Sequence, residues 1–89
     1  MDKRWTDEAW EDFLSLIANK RLLKKVNELL KDIDRNGYAG IGKPEPLKED
    51  LSGYWSRRID EYNRIVYRIV ESNEENYVEI IQCGTQYRK

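Results

Sequence analysis

Apolar positions recur at helical spacing through the first part of the chain and then change to strand-like alternation. Trp10, Phe13, Leu14 and Ile17 form one helical stripe. Thr6 stands before it as an N-cap, with Asp7 and Glu8 where the helix dipole favours negative charge. The pattern pauses near Asn19. A second stripe runs through Leu22, Leu23, Val26, Leu29, Leu30 and Ile33, with Lys24, Lys25, Glu28, Lys31 and Asp32 on the other face. Asn36-Gly37 ends it, because glycine readily takes the left-handed conformation after a helix. These spacings predict two antiparallel helices joined by a short turn.

From Tyr38 to Asp50 the texture is that of a loop, with Gly40, Gly42, Pro44 and Pro46 close together. Proline has no N–H to give a sheet ladder, so Gly42 to Pro46 reads as an ordered extended segment. Tyr54 to Asp60 alternates polar with apolar. Arg64 to Val70 puts Ile65, Tyr67 and Ile69 on one face and Arg64, Val66 and Arg68 on the other. Ser72 to Asn76 is a polar, acidic turn, and Tyr77 to Cys83 is a further strand bounded by Gly84. Lys3 to Thr6 is short and suits an edge strand. Helices first and strands after predict one α+β domain over residues 1–89, with two N-terminal helices packed on a twisted antiparallel β-sheet.

Composition narrows the chemistry. Charged residues make up 37% and hydrophobic residues 39%, a mix that folds rather than staying disordered. Sixteen basic against seventeen acidic residues give a formal net charge of -1, so any RNA site must be a local patch. Histidine is absent, which removes the commonest general acid–base and the commonest metal ligand. The single cysteine, Cys83, forms no intrachain disulfide and reads as a small apolar strand residue. There is no apolar leader and no run of the ~18–20 apolar residues that span a membrane, so a cytoplasmic location without membrane contact is expected.

Three features carry candidate chemistry, and each has a plainer reading. Glu45 sits between two prolines that stiffen its backbone, as a general base requires; otherwise it is a solvated glutamate. Arg57, Arg58, Arg64 and Arg68 lie on two strands joined by a tight connection. Arg58 and Arg64 flank that connection and can face one another as a phosphate clamp, or simply pair with Asp60 and Glu61. The C-terminal Gln86-Tyr87-Arg88-Lys89 can stack on a base and hold a phosphate, or fray. Trp5, Trp10, Tyr54, Trp55 and Tyr67 read as core.

Together these residues say more. Gly42-Lys43-Pro44-Glu45-Pro46-Leu47-Lys48, Leu51-Ser52-Gly53-Tyr54-Trp55-Ser56-Arg57-Arg58-Ile59 and Asn63-Arg64-Ile65-Val66-Tyr67 resemble the central block of YoeB/Txe toxins of the RelE superfamily. Trp5 to Asp12 and Lys24 to Asp32 match as well, so the resemblance covers nearly the whole chain. It implies the toxin of a type II toxin–antitoxin system, an endoribonuclease that cuts mRNA in the ribosomal A site with no cofactor and no metal. The 2′-hydroxyl would attack the adjacent phosphate, leaving a 2′,3′-cyclic phosphate and a free 5′-hydroxyl. By position Glu45 would be the base. Arg64, with Arg58, Arg57 and Lys48 binding substrate, would hold the phosphoryl oxygens, and Tyr87 would position the RNA. The partners implied are the 70S ribosome with its mRNA, a Phd/YefM-type antitoxin, a second copy in a homodimer, and operator DNA only through the antitoxin complex.

At one place the pattern fails. The family usually ends in His-Tyr, and that histidine is its expected general acid; here the pair is Gln86-Tyr87. An amide donates a hydrogen bond but transfers no proton near neutral pH. Gln86 is then either natural, with Tyr87 or a ribosomal group covering the role, or an introduced inactivating change. Two functions follow: an attenuated nuclease, or a catalytically inactive module that binds antitoxin or ribosome.

Overall fold

The computed structural model describes residues 1–84. Its elements run β1 (Asp2–Trp5), α1 (Asp7–Leu16), α2 (Lys20–Asn36), β2 (Glu45–Pro46), a 3₁₀ turn (Glu49–Leu51), β3 (Trp55–Arg58), β4 (Arg64–Val70) and β5 (Tyr77–Gly84). Local chemistry starts and stops the helices. Thr6 Oγ1 accepts from Ala9 N at 3.1 Å, and Asn19 Oδ1 accepts from Arg21 N and Leu22 N at 3.0 and 3.2 Å. At the end of α2, Gly37 (φ 64°) donates its N–H to Ile33 O at 2.8 Å. Along α2, Val26, Leu29 and Ile33 are wholly buried, in the register their spacing predicts.

The five strands form one sheet in the order β1-β5-β4-β3-β2. From β2 to β5 every pairing is antiparallel, but β1 joins β5 in parallel, Asp2 opposite Tyr77 through Trp5 opposite Ile80. The expected purely antiparallel sheet is therefore mixed. Alternation marks a strand but carries no direction, so the sense of a four-residue edge strand is invisible in it. The Glu45–Pro46 segment, expected as loop, pairs with Ser56 and Trp55 at the opposite edge. An edge is where a proline without an N–H is tolerated.

Both helices pack on one face of the sheet, where Ile65, Tyr67, Ile80 and Cys83 meet Val26, Leu29, Ile33 and Ala9. Trp5 and Trp55 pack against this core, while Trp10 departs from its expected place in it and is 45% exposed. It lays its ring against Trp5 and Phe13, at 5.8 and 5.4 Å between centroids, and turns its outer edge to solvent. The other face is not bare either. Ser56, Val66 and Gln82 share it and are each less than 5% exposed. The segment between β2 and β3 crosses it: Leu47 N bonds Tyr54 O at 2.9 Å, the Tyr54 hydroxyl reaches Glu79 on β5 at 2.8 Å, and Leu51 comes to rest beside Ile81 and Gln82.

Candidate active site

Cross-strand partners point to the same side of a sheet, so register alone locates the site. Glu45 pairs with Ser56, Ser56 with Val66, and Val66 with Gln82, which makes one row across the face away from the helices. The next row on that face is Arg58, Arg64 and Gly84. Glu45 is thus one step diagonally from Arg58, with Arg64 beyond it. The hairpin turn sets this register. Asp60 Oδ1 accepts from Tyr62 N and Asn63 N at 2.8 and 2.6 Å, and Ile59 N donates to Asn63 O at 2.9 Å.

The loop that delivers Glu45 is fixed at its root. Gly42 has φ 82° and lies so close to the core that a Cβ there would stand 2.7 Å from Leu29 Cδ2 and 3.2 Å from Arg57 Cβ. Only glycine allows that approach. Its carbonyl accepts from Arg58 N at 2.7 Å, which ties the loop to β3. Glu45 itself is exposed, and so are Arg58 and Lys48. Lys48 begins the segment that crosses this face, at the N-cap of the 3₁₀ turn.

Arg58 and Arg64 face one another as direct partners. Two like charges in that relation repel. Arg64 is half-buried, and its Nη1 is fully buried with no hydrogen-bond partner among the described residues. A guanidinium nitrogen left this way is costly unless something anionic meets it. Arg68, farther along β4, is engaged: its Nε donates to Glu79 Oε1 at 2.8 Å and its guanidinium lies 5.1 Å from the Tyr54 ring. Among the described residues no three His, Cys, Asp or Glu side chains converge to hold a metal.

The expectation that Arg57 binds substrate is corrected. Arg57 alternates with Arg58 and points to the helix side, where it is wholly buried. Nη1 donates to Asp32 Oδ2 at 2.5 Å and Ile41 O at 3.1 Å, Nη2 to Gly37 O at 2.8 Å and Ala39 O at 2.5 Å, and Nε to the Tyr67 hydroxyl at 3.0 Å. Every nitrogen is in use. The Arg57 guanidinium holds the Asp32 carboxyl below the usual carboxylate range, whereas burial pushes the Tyr67 hydroxyl up. Arg57 is a structural clasp between β3 and the turn that follows α2.

Glu45, Arg58 and Arg64 therefore share one face, Lys48 enters the segment across it, and Arg57 lies on the opposite side. Gln86 and Tyr87 lie outside the described residues. Cys83 is buried beside Asp12, whose Oδ2 accepts from Cys83 N at 3.2 Å, and burial pushes its thiol up to about 12. It is no nucleophile at neutral pH.

Residues 5–87 match the family model described as the YoeB-like toxin of bacterial type II toxin-antitoxin systems. The chain belongs to that family. Toxin YoeB of Escherichia coli (strain K12) is 50% identical over 70 residues, which are 78% of this chain and 83% of that protein. The solved YoeB/ParE toxin from Agrobacterium tumefaciens superposes with a TM-score of 0.90 at 42% identity, covering 98% of this chain and 100% of the other. YoeB from Staphylococcus aureus, solved as a heterotetrameric complex with YefM, superposes at 0.84 with 45% identity and 98% of each chain covered. The same S. aureus toxin is also known as a dimer. YafQ from E. coli, at 16% identity and a TM-score of 0.76, shares the fold. The chain is thus a small toxin with the two-helix, five-stranded architecture of this family, and no helix among its described residues is long and apolar enough to cross a membrane.

Proposed function

We propose that this toxin cleaves mRNA on the ribosome without a metal, using the face that carries Glu45, Arg58 and Arg64. The observation that carries the reading is the facing arginine pair with a buried Arg64 Nη1 that has no hydrogen-bond partner among the described residues. A phosphodiester oxygen satisfies both the missing hydrogen bond and the unbalanced charge. Glu45 is one strand from that pair, on a backbone stiffened by two prolines, and serves as the base that takes the 2′-hydroxyl proton. The freed oxygen attacks the adjacent phosphorus and the bond to the 5′ oxygen breaks. The products are a 2′,3′-cyclic phosphate and, once that oxygen has gained a proton, a 5′-hydroxyl. Arg64 and Arg58 neutralise the charge that builds on the phosphoryl oxygens, with Lys48 as a further cation. Tyr87 positions the RNA.

Gln86 stands where the family resemblance calls for a histidine, so the leaving oxygen lacks a strong proton donor from this chain. Losing a general acid costs about 10²–10⁴-fold in rate. The toxin is accordingly an attenuated nuclease. The second reading, a module that binds a partner without cutting, draws its support from the same glutamine. The YoeB–YefM assembly from S. aureus supports a YefM-type antitoxin as partner, and the dimer from that organism supports self-association. Mapping cuts in ribosome-bound mRNA tests the nuclease reading. Cuts that disappear in both Glu45→Ala and Arg64→Ala uphold it; variants that cut like the parent overturn the roles given to these residues.

A further inference from the structure

β3 holds the segment that delivers Glu45 at two places, and their registers differ by one residue. Glu45 pairs with Ser56 and Pro46 with Trp55, and Leu47 N bonds Tyr54 O at 2.9 Å in the same register. Continued regularly, that register sets Lys43 opposite Arg58. Instead Arg58 N donates to Gly42 O at 2.7 Å. Lys43 and Pro44 together therefore stand against Arg57 alone, and the segment carries one extra residue, a β-bulge.

The extra residue decides which way Glu45 faces. Side chains alternate along a strand, so a slip of one residue turns them to the other face. If the pairing ran on from Arg58 and Gly42 without a bulge, Pro44 would stand opposite Ser56 and Glu45 opposite Trp55. Trp55 packs against the core on the helix side. The glutamate would then lie on the face away from Arg58 and Arg64. With the bulge it stands in the row of Ser56, one diagonal step from Arg58.

The backbone takes up the extra residue at Gly42 and Lys43, whose φ angles are 82° and 51°. Glycine enters this left-handed region freely, but in lysine Cβ crowds the carbonyl oxygen that follows. The next residue makes the conformation costlier still, since the position before a proline is pushed toward extended backbone. Outside glycine, only Glu49 shares a positive φ with Lys43 among the described residues. The surroundings leave Lys43 no choice. Gly42 is packed against Leu29 and tied to Arg58, Glu45 is paired with Ser56, and Pro44 has its own φ fixed by its ring. Strain persists where neighbours over-determine it, and it gathers at functional sites. The Lys43 side chain is exposed, so its backbone is the part that shapes the loop.

We propose that Lys43 is a positioning residue, whose left-handed backbone holds the bulge that presents the Glu45 carboxylate to the Arg58–Arg64 face. The proposal rests on Glu45 acting as the base in the cleavage described above, and it adds what aims that base. Asparagine and glycine enter the left-handed region readily and keep the bulge, whereas a β-branched residue resists it.

The full chain carrying Lys43→Asn, Lys43→Gly or Lys43→Val is assayed by toeprinting of ribosome-bound mRNA over a range of toxin concentrations. All three variants lose the same charge, so any part the ammonium plays in holding RNA cancels between them. Lys43→Asn and Lys43→Gly cut at the same maximal rate. Lys43→Val cuts about 10²-fold more slowly than Lys43→Asn, the loss that a misplacement of about 1 Å produces, at an unchanged half-saturating concentration. Urea unfolding followed by tryptophan fluorescence checks that Lys43→Val is folded in the assay. Pro44→Gly guards against a failure there: it keeps Lys43 and its charge, frees the residue that locks the bulge, and also lowers the maximal rate without moving the half-saturating concentration. A folded Lys43→Val that cuts as fast as Lys43→Asn, or a Pro44→Gly that cuts like the parent, overturns the positioning role while the nuclease reading stands. An equal loss in all three Lys43 variants assigns the effect to the ammonium and overturns it as well. If Glu45→Ala cuts like the parent, the base itself is misassigned and the positioning role falls with it.

Discussion

Replacing Arg57 by alanine should cost this domain more than any other single charge deletion in the described chain. The guanidinium is completely buried and makes five hydrogen bonds, two to carbonyls of the turn after α2, one to Ile41 O, one to Tyr67 and one to Asp32. Alanine removes all five at once. It takes the charged partner from Asp32 and a donor from three carbonyls, of which Gly37 O keeps the Tyr67 hydroxyl. Breaking a buried ion pair by deleting one partner costs about 3–5 kcal/mol. A domain of 89 residues has, at about 0.05–0.15 kcal/mol per residue, only about 4–13 kcal/mol in hand. Arg57→Ala therefore consumes from a quarter of the stability to all of it. Lysine is no substitute, because one ammonium cannot reproduce a planar fork that bonds in five directions. Urea unfolding followed by tryptophan fluorescence measures this directly. With a slope of about 1–3 kcal/mol per molar urea, the midpoint should fall by more than about 1 M. Arg68→Ala is the control, since its bond to Glu79 is largely exposed and such pairs contribute about 0–1 kcal/mol. Equal midpoints for parent and Arg57→Ala would refute the clasp, and so would an Arg68→Ala loss as large as that of Arg57→Ala.

Three further outcomes follow from the geometry. Inorganic phosphate or sulfate should raise the thermal midpoint of the parent and not that of Arg64→Ala, because the facing arginines are relieved by an anion; equal rises would remove the clamp. Cys83 should resist thiol reagents at neutral pH in the native state and react only in denaturant, its thiol being buried and pushed up to about 12; rapid native labelling would contradict that placement. Asp32 is held below its unfolded value of about 3.9, so its contribution is present above that pH and is lost as pH falls through the lowered folded value. Asp32→Asn should flatten stability across that acid window, and an unchanged acid limb would refute the assignment.

The parts of the fold that obey a period were legible in the sequence. The α2 stripe places Val26, Leu29 and Ile33 in the core, and the alternation of β4 separates Ile65 and Tyr67 from Arg64 and Arg68. The hairpin signal likewise brings Arg58 opposite Arg64. What escaped depends on contacts remote in sequence. Arg57 read as one more surface arginine because a charge is rarely buried without partners, and its partners stand 10–25 positions away. Gln82 had no signal of its own, since only the crossing of residues 47–54 over the sheet makes it buried. The parallel sense of β1 depends on the edge at which it docks, and no local residue encodes that. Trp10 shows the opposite error: helical spacing marks a stripe, but the position of α1 against β1 and β5 leaves that ring at its rim.

On the proposed function, this toxin keeps the scaffold and phosphate clamp of a ribonuclease but lacks its proton donor. Toeprinting of ribosome-bound mRNA in a reconstituted translation system, with the chain as it stands and with Gln86→His, tests it most directly. Weak cuts are expected from the first, and cleavage faster by about 10²–10⁴-fold from the second, lost again when Arg64→Ala is added. An unchanged rate on Gln86→His, or fast cleavage that survives Arg64→Ala, would contradict it.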